Sequence, residues 1–174
     1  EIHYARNVMK TNTTTVQTFV SINRGPAGVV NTGKIQWFEP MDRKVGPATG
    51  FSVDALDKLP RVDVIYAHAN MSADLIDAAI KNGAKGLVIA GVGDGNMTTP
   101  ALDAVTRAAK SGIVVVRSTR LASGITLRNN EVNDDEKGLV ASGELNPAKS
   151  RVLLQLALTK TKDPVQIQKM FYEY

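Results

Sequence analysis

The sequence predicts an α/β protein, and three observations carry that prediction. Strand-like and helix-like stretches alternate after Pro60, "GLVIA" (Gly86 to Ala90) is an unbroken apolar run of strand length, and residues 1–38 read as β structure with a hairpin signal. An apolar run without polar alternation is what a parallel strand covered on both faces requires, and alternating strands and helices are the pattern of helices packed on a parallel sheet.

The elements follow in chain order. "VQTFVSI" supplies the β-branched and aromatic residues of a strand. "GVVNTGKIQWF" sets two short apolar runs around Asn31, Thr32 and Gly33, with the glycine available for the positive φ of a hairpin turn. From Glu39 the pattern lapses: "EPMDRKVGPATG" holds two prolines, two glycines and four charges, so residues 39–60 read as a linker into a second domain over 61–174. There "VDVIY" (Val62 to Tyr66) is a strand, and Ser72 caps a helix whose Leu75, Ile76, Ala79 and Ile80 recur at helical spacing, with Gly83 as the stop. Beyond Gly86 to Ala90 and the glycine loop, Thr99 and Pro100 open a helix carrying Leu102, Val105, Ala108 and Ala109, closed by Lys110 and Gly112. "IVVVR" is a third strand. Asn146 and Pro147 start a helix whose middle, "VLLQLAL", is apolar nearly all round, which predicts deep burial or contact with another subunit. Asp163 and Pro164 start the last helix, with Ile167, Met170, Phe171 and Tyr174 on one face. The most economical topology is a parallel sheet with helices on its faces.

Composition removes several classes of function. With 174 residues, 43% hydrophobic and 22% charged, the chain has the make-up of an ordinary globular protein. Basic residues exceed acidic ones by 21 to 17, but they are scattered and aromatics are only 5%, which speaks against a nucleic-acid partner. The absence of cysteine rules out disulfides and thiolate sites, and two distant histidines, His3 and His68, offer no metal-ligand spacing. No segment has the apolar length of a membrane span. The opening "EIHYARNVMK" carries neither an initiator methionine nor a leader-like charged region, as expected of a chain that begins partway through a longer protein.

Three stretches invite a chemical reading. "AGVGDGN" follows an apolar strand, but its spacing is G-x-G-x-G, and Asp94 sets negative charge where a pyrophosphate would sit, so it does not make a dinucleotide fingerprint. A tight turn after a parallel strand accounts for the glycines, and its position at a strand's carboxyl end keeps Asn96 as a candidate ligand contact. In "VMKTNTTT", Lys10 stands among Thr11, Thr13, Thr14 and Thr15. It is either a solvated side chain beside a turn or a base that takes a proton from a threonine or serine nucleophile, and the spacing does not choose. In "RNNEVNDDEKG", Glu131 stands apart from Asp134, Asp135 and Glu136. Such clusters are usually solvated loops, yet a lone carboxylate is also a seat for an ammonium group.

These segments, together with "VVVRSTR" and "LNPAKSRVLLQLALTKTKDPVQIQKMFYEY", resemble the carboxyl-terminal half of bacterial type II L-asparaginases, in order and over the whole chain. The resemblance implies a periplasmic or secreted amidohydrolase that converts L-asparagine to L-aspartate and ammonia through a threonine acyl-enzyme, without a cofactor. It also implies a homotetramer built as two intimate dimers. The family's T-G-G-T and H-G-T-D-T motifs, which hold the nucleophile and its partners, do not occur in this sequence; they belong to the amino-terminal half. By motif, the family's catalytic lysine falls on Lys10, though "RNVMK" departs from the usual approach to it. Asn96 and Glu131 match the substrate-binding residues donated across the intimate dimer, with Glu131 facing the α-ammonium. Relatives with strong glutaminase activity tend to carry serine at the position of Asn96 and "AEQPDD" in place of "NEVNDD", so the resemblance favours asparagine over a dual glutaminase-asparaginase. On this basis residues 1–38 are the end of the amino-terminal catalytic domain, and the chain alone is expected to be inactive. Two alternatives are an inert binding or structural module, which would leave strands 1–38 with bare edges, and the amidotransferase subunit that feeds tRNA-dependent amidation, whose added domain is not seen here.

Overall fold

The computed structural model describes residues 1–38 and 43–174. It divides into two compact units, one formed by Glu1–Arg43 with Ala122–Gly124 and the other by Lys44–Leu121 with Ile125–Tyr174. Residues 39–42 of the expected linker lie outside the described residues.

The first unit is built from two antiparallel ladders. Strand β1 (Val8–Lys10) pairs with β2 (Phe19–Ser21), and β3 (Gly28–Asn31) pairs with β4 (Lys34–Trp37). The β3–β4 turn sits where the sequence places it. Both central residues take positive φ, 46° at Thr32 and 76° at Gly33, the geometry that matches the twist of a two-residue hairpin. Strand β1 falls within the stretch that reads as β structure, though no pattern of its own marks it: Lys10 is its last residue, opposite Phe19. Three residues show no periodicity of their own, and only the pairing with β2 defines them.

The second unit carries a four-stranded parallel sheet in the order β5 (Val62–Tyr66), β6 (Gly86–Gly91), β7 (Val114–Thr119) and β8 (Val140–Ala141). Helix α1 (Asp74–Lys81) links β5 to β6 and α2 (Thr99–Lys110) links β6 to β7. A short turn of helix, α3 (Asp134–Lys137), precedes β8, and α4 (Pro147–Ala157) and α5 (Pro164–Glu173) follow it. Side chains alternate between two cores, as strand geometry demands. Leu87, Ile89 and Val115 join the core of α1 and α2, while Val62, Val88, Val114, Val116 and Val140 join that of α4 and α5. Every residue of β6 and β7 is buried, which is why "GLVIA" lacks polar alternation.

The caps explain where the later helices begin. The Asn146 side chain accepts from Lys149 N–H and the Asp163 side chain from Val165 N–H, each just ahead of a proline in the first turn. Helix α1 starts slightly later than the sequence suggests. Its N-cap position is Ala73, and the Ser72 hydroxyl accepts from the Asp74 N–H at 3.3 Å. The apolar α4 buries Leu153, Leu154 and Ala157 but leaves Val152 53% exposed, so its burial is deep without being complete. On α5, Ile167 and Phe171 are buried, and Met170 and Tyr174 pack beside them.

Strand β8 and helix α3 were not anticipated. Two residues are too few to signal a strand, and β8 exists because β7 offers it an edge. Its outer side is closed by a side chain instead of another strand. Gln168 of α5 accepts from Ala141 N–H at 2.8 Å and donates to Ala141 C=O at 3.1 Å, which pairs the open edge.

Gly91, the last residue of β6, is fixed by its surroundings. A Cβ there would lie 2.3 Å from the carbonyl carbon of Gly95, so the backbone of the turn itself would have to shift. Gly91→Ala is expected to lower stability by about 2 to 3 kcal/mol, as overpacking does, read as a shift in the denaturation midpoint at unchanged m-value.

Candidate active site

Neighbouring parallel strands end side by side, so the loops leaving their carboxyl ends adjoin. Here β6 leads into residues 92–98 and β7 into 120–133. The first of these folds back on itself: Val92 and Asn96 exchange backbone hydrogen bonds, both 2.8 Å, and enclose Gly93, Asp94 and Gly95. The two inner glycines take φ of 54° and 74°, a region that side-chain-bearing residues rarely occupy. The loop is thus a tight turn after a parallel strand, as the spacing implies.

Beneath it lies a charge. Arg117 of β7 and Asp134 of α3 are both fully buried and meet in a bidentate pair, Nε to Oδ1 at 2.6 Å and Nη2 to Oδ2 at 2.7 Å. The guanidinium also donates to main-chain carbonyls in both loops: Nη1 to Asp94 at 2.7 Å and Nη2 to Leu127 at 3.1 Å. The Asp134 carboxylate in turn accepts the Asn129 N–H at 2.9 Å. One buried ion pair therefore holds the glycine loop, the segment after β7 and the start of α3 at once. Asn133 caps α3 through Glu136 N–H, and Gly138 closes it at φ 70°.

The sequence shows Arg117 only as the basic end of "IVVVR" and groups Asp134 with acids of a kind usually found in solvated loops; in the structure Asp134 is instead fully buried on Arg117. The overlooked signal was local: an asparagine cap, three acids in the first turn, then lysine and glycine in "NDDEKG" spell a short helix. The partnership with a cation seventeen positions earlier is tertiary and has no local signature.

On this platform stand two of the three expected site residues. Asn96 Nδ2 donates to Glu131 Oε2 at 3.2 Å, while Asn96 Oδ1 accepts from Met97 N–H at 2.9 Å. Glu131 is exposed between Asn130 and the buried Val132. Nearby, the side-chain amide of Asn129 and then the Arg128 guanidinium hold the Asp135 carboxyl below its ordinary range. Asn96 and Glu131 together present an amide, which can donate and accept, beside a carboxylate, which can accept from a cationic group.

Lys10 belongs to the first unit. Its Nζ donates to the carbonyls of Asn12 at 2.6 Å and Thr13 at 3.3 Å. The threonine hydroxyls of the tract are directed elsewhere, Thr11 to the Thr18 carbonyl and Thr14 to the Asn12 side chain. Among the described residues no group of three or more His, Cys, Asp and Glu is placed to hold a metal ion, and no helix is long and apolar enough to cross a membrane.

A two-part α/β chain with a parallel sheet and polar loops at its carboxyl edge defines a class that comparison with known proteins narrows. Residues 61–171 match the glutaminase/asparaginase carboxyl-terminal domain, and the chain belongs to that family. It is 47% identical over its whole length to a probable periplasmic L-asparaginase of Haemophilus influenzae, covering 50% of that protein. It is 49% identical to L-asparaginase 2 of Escherichia coli, with 97% of this chain and 49% of that protein aligned. A glutaminase-asparaginase of Pseudomonas fluorescens is 35% identical over all of this chain and 48% of its own. The resemblance to the carboxyl-terminal part of type II L-asparaginases thus holds, and the chain spans about half the length of the curated relatives it matches.

The Arg117–Asp134 pair gives a direct test. Arg117→Ala leaves a buried carboxylate without its cation and should cost about 3 to 5 kcal/mol in chemical denaturation. Arg117→Met combined with Asp134→Leu should recover much of that loss, because an apolar pair of similar volume carries no desolvation penalty.

Proposed function

We propose that this chain is the carboxyl-terminal part of an L-asparaginase that hydrolyses L-asparagine to L-aspartate and ammonia through a threonine acyl-enzyme. The nucleophile and its oxyanion hole would come from the amino-terminal part of the same enzyme. Lys10 would help deprotonate that threonine, while Glu131 binds the substrate's α-ammonium and Asn96 fixes its polar end. A homotetramer of two intimate dimers would let Asn96 and Glu131 complete a neighbouring subunit's site, in a bacterial periplasm or secreted. No cofactor enters the reaction so conceived.

The observation that supports this most is the Asn96–Glu131 hydrogen bond. It pairs the two residues that the family resemblance selects, on adjoining loops at the carboxyl edge of a parallel sheet, where ligands of open α/β sheets bind. A charge-assisted bond from a substrate ammonium to Glu131 would contribute about 1.5 to 3 kcal/mol to binding. Preference for asparagine over glutamine is supported by Asn96 and Val132 and by identities of 47 to 49% with proteins named L-asparaginase against 35% with a glutaminase-asparaginase.

The deciding experiment is ammonia release by the complete enzyme and by the 174-residue chain alone. Activity is expected of the first only, with kcat/KM for L-asparagine well above that for L-glutamine. Ammonia from the isolated chain, or comparable values for both amides, would contradict the proposal. Residue roles separate kinetically. Lys10→Ala should lower kcat by about three orders of magnitude or more, and Glu131→Ala should raise KM more than it lowers kcat. The reverse ranking would exchange the two roles.

A further inference from the structure

We propose that Asp94 is a positioning residue for Glu131, tying its segment to the loop that bears Asn96 through a carboxylate clasp on Leu127 and Asn130. The inference rests on the proposed function, since the placement of Glu131 matters to turnover only if Glu131 binds substrate.

Asp94 lies two residues before Asn96, inside the turn closed by the Val92 and Asn96 bonds. Its main chain is already fixed, because its carbonyl accepts from Arg117 Nη1 at 2.7 Å. Both carboxylate oxygens are engaged across the gap between the loops: Oδ1 accepts the Leu127 N–H at 2.7 Å and Oδ2 accepts Asn130 Nδ2 at 2.7 Å. The two partners bracket the segment whose next residue is Glu131. On its other side Glu131 is followed by Val132, 4% exposed in the core of α1 and α2. Glu131 therefore stands between one neighbour pinned by Asp94 and another pinned by packing.

This arrangement answers a physical difficulty. Glu131 is exposed and its side chain has three rotatable torsions, so its carboxylate is only as well placed as the backbone that carries it. Asp94 ties that backbone to the loop that bears Asn96. The ion pair beneath holds the two loops to the sheet; Asp94 sets them against each other. Removing the clasp leaves 127–131 attached through Arg117 to the Leu127 carbonyl, through Asn129 N–H to Asp134, and through the Arg128 and Asn129 side chains to Gln168 and Asp135, but takes away the bond at Asn130, the residue next to Glu131. The cost falls on substrate capture, because a loosened carboxylate must be ordered each time the ammonium binds.

The amide chemistry supplies its own control. In Asp94→Asn, Oδ1 still accepts the Leu127 N–H, and the Asn130 amide, turned over, accepts from the new Nδ2. The charge is lost but the clasp is kept. In Asp94→Ala both bonds are lost.

In the complete enzyme, Asp94→Ala should raise KM for L-asparagine about 5- to 20-fold with kcat changed less than about 3-fold, and Asp94→Asn should recover KM to within about 3-fold. In a Glu131→Ala background, Asp94→Ala should add less than about 2-fold, since a residue acting through Glu131 has nothing left to position. Thermal denaturation of each variant reports folding, and Asn130→Ala, which removes only the outer bond, carries the same test if Asp94→Ala does not fold. An unchanged KM in Asp94→Ala, a full effect in Asp94→Asn, or a full effect retained without Glu131 would each overturn the inference. If Glu131→Ala itself leaves KM unchanged, the substrate reading fails; if Glu131→Ala raises KM and Asp94→Ala does not, only the positioning role fails.

Discussion

The second unit depends on a guanidinium where an aliphatic side chain would be expected. Arg117 sits fully buried in β7, between Ile89 of β6 and Ala141 of β8 in the register of the sheet. A cation in that position is tolerated only if its donors are taken up, and they are, by one carboxylate and by carbonyls in two loops. The desolvation cost makes such a pair a poor source of stability but a strict condition on geometry. Any arrangement that displaces the glycine loop or α3 leaves a buried charge without a partner.

Secondary structure alone would leave the site loops free, since neither 92–98 nor 120–133 contains a helix or a long strand. What orders them is a hierarchy of contacts. The sheet brings the ends of β6 and β7 together, Arg117 and Asp134 fasten both loops from below, and the Asp94 carboxylate joins them at the surface. The polar pair of Asn96 and Glu131 is the outermost layer. Burial is complete at the ion pair, partial at Asp94 and Asn96 and least at Glu131, an order that sets exposed polar groups on a rigid base.

The parts of this fold that are legible in the sequence are those whose signals are local. The all-buried β6 announces itself as an apolar run, α4 and α5 by an Asn-Pro and an Asp-Pro start, and the hairpin by Asn31, Thr32 and Gly33. Strands β1 and β8 and helix α3 are illegible because they are too short for periodicity, and exist by pairing or capping. The site divides along the same line. Asn96 and Glu131 emerge from motif resemblance, but their adjacency depends on β6 lying beside β7, and the buried ion pair depends on residues far apart in the chain. For Lys10 the sequence leaves two roles open, and its bonds to the Asn12 and Thr13 carbonyls describe a side chain folded over its own turn.

The buried pair also bears on how the site opens. For the segment carrying Glu131 to detach, the Asp134 carboxylate would have to give up the Asn129 N–H and Arg117 the Leu127 carbonyl, leaving a buried ion pair with part of its hydrogen bonding unmet. An irregular surface loop is thereby tied to a buried charge pair beneath it. Its backbone amide at Asn129 would be expected to exchange its hydrogen more slowly than that of an ordinary loop.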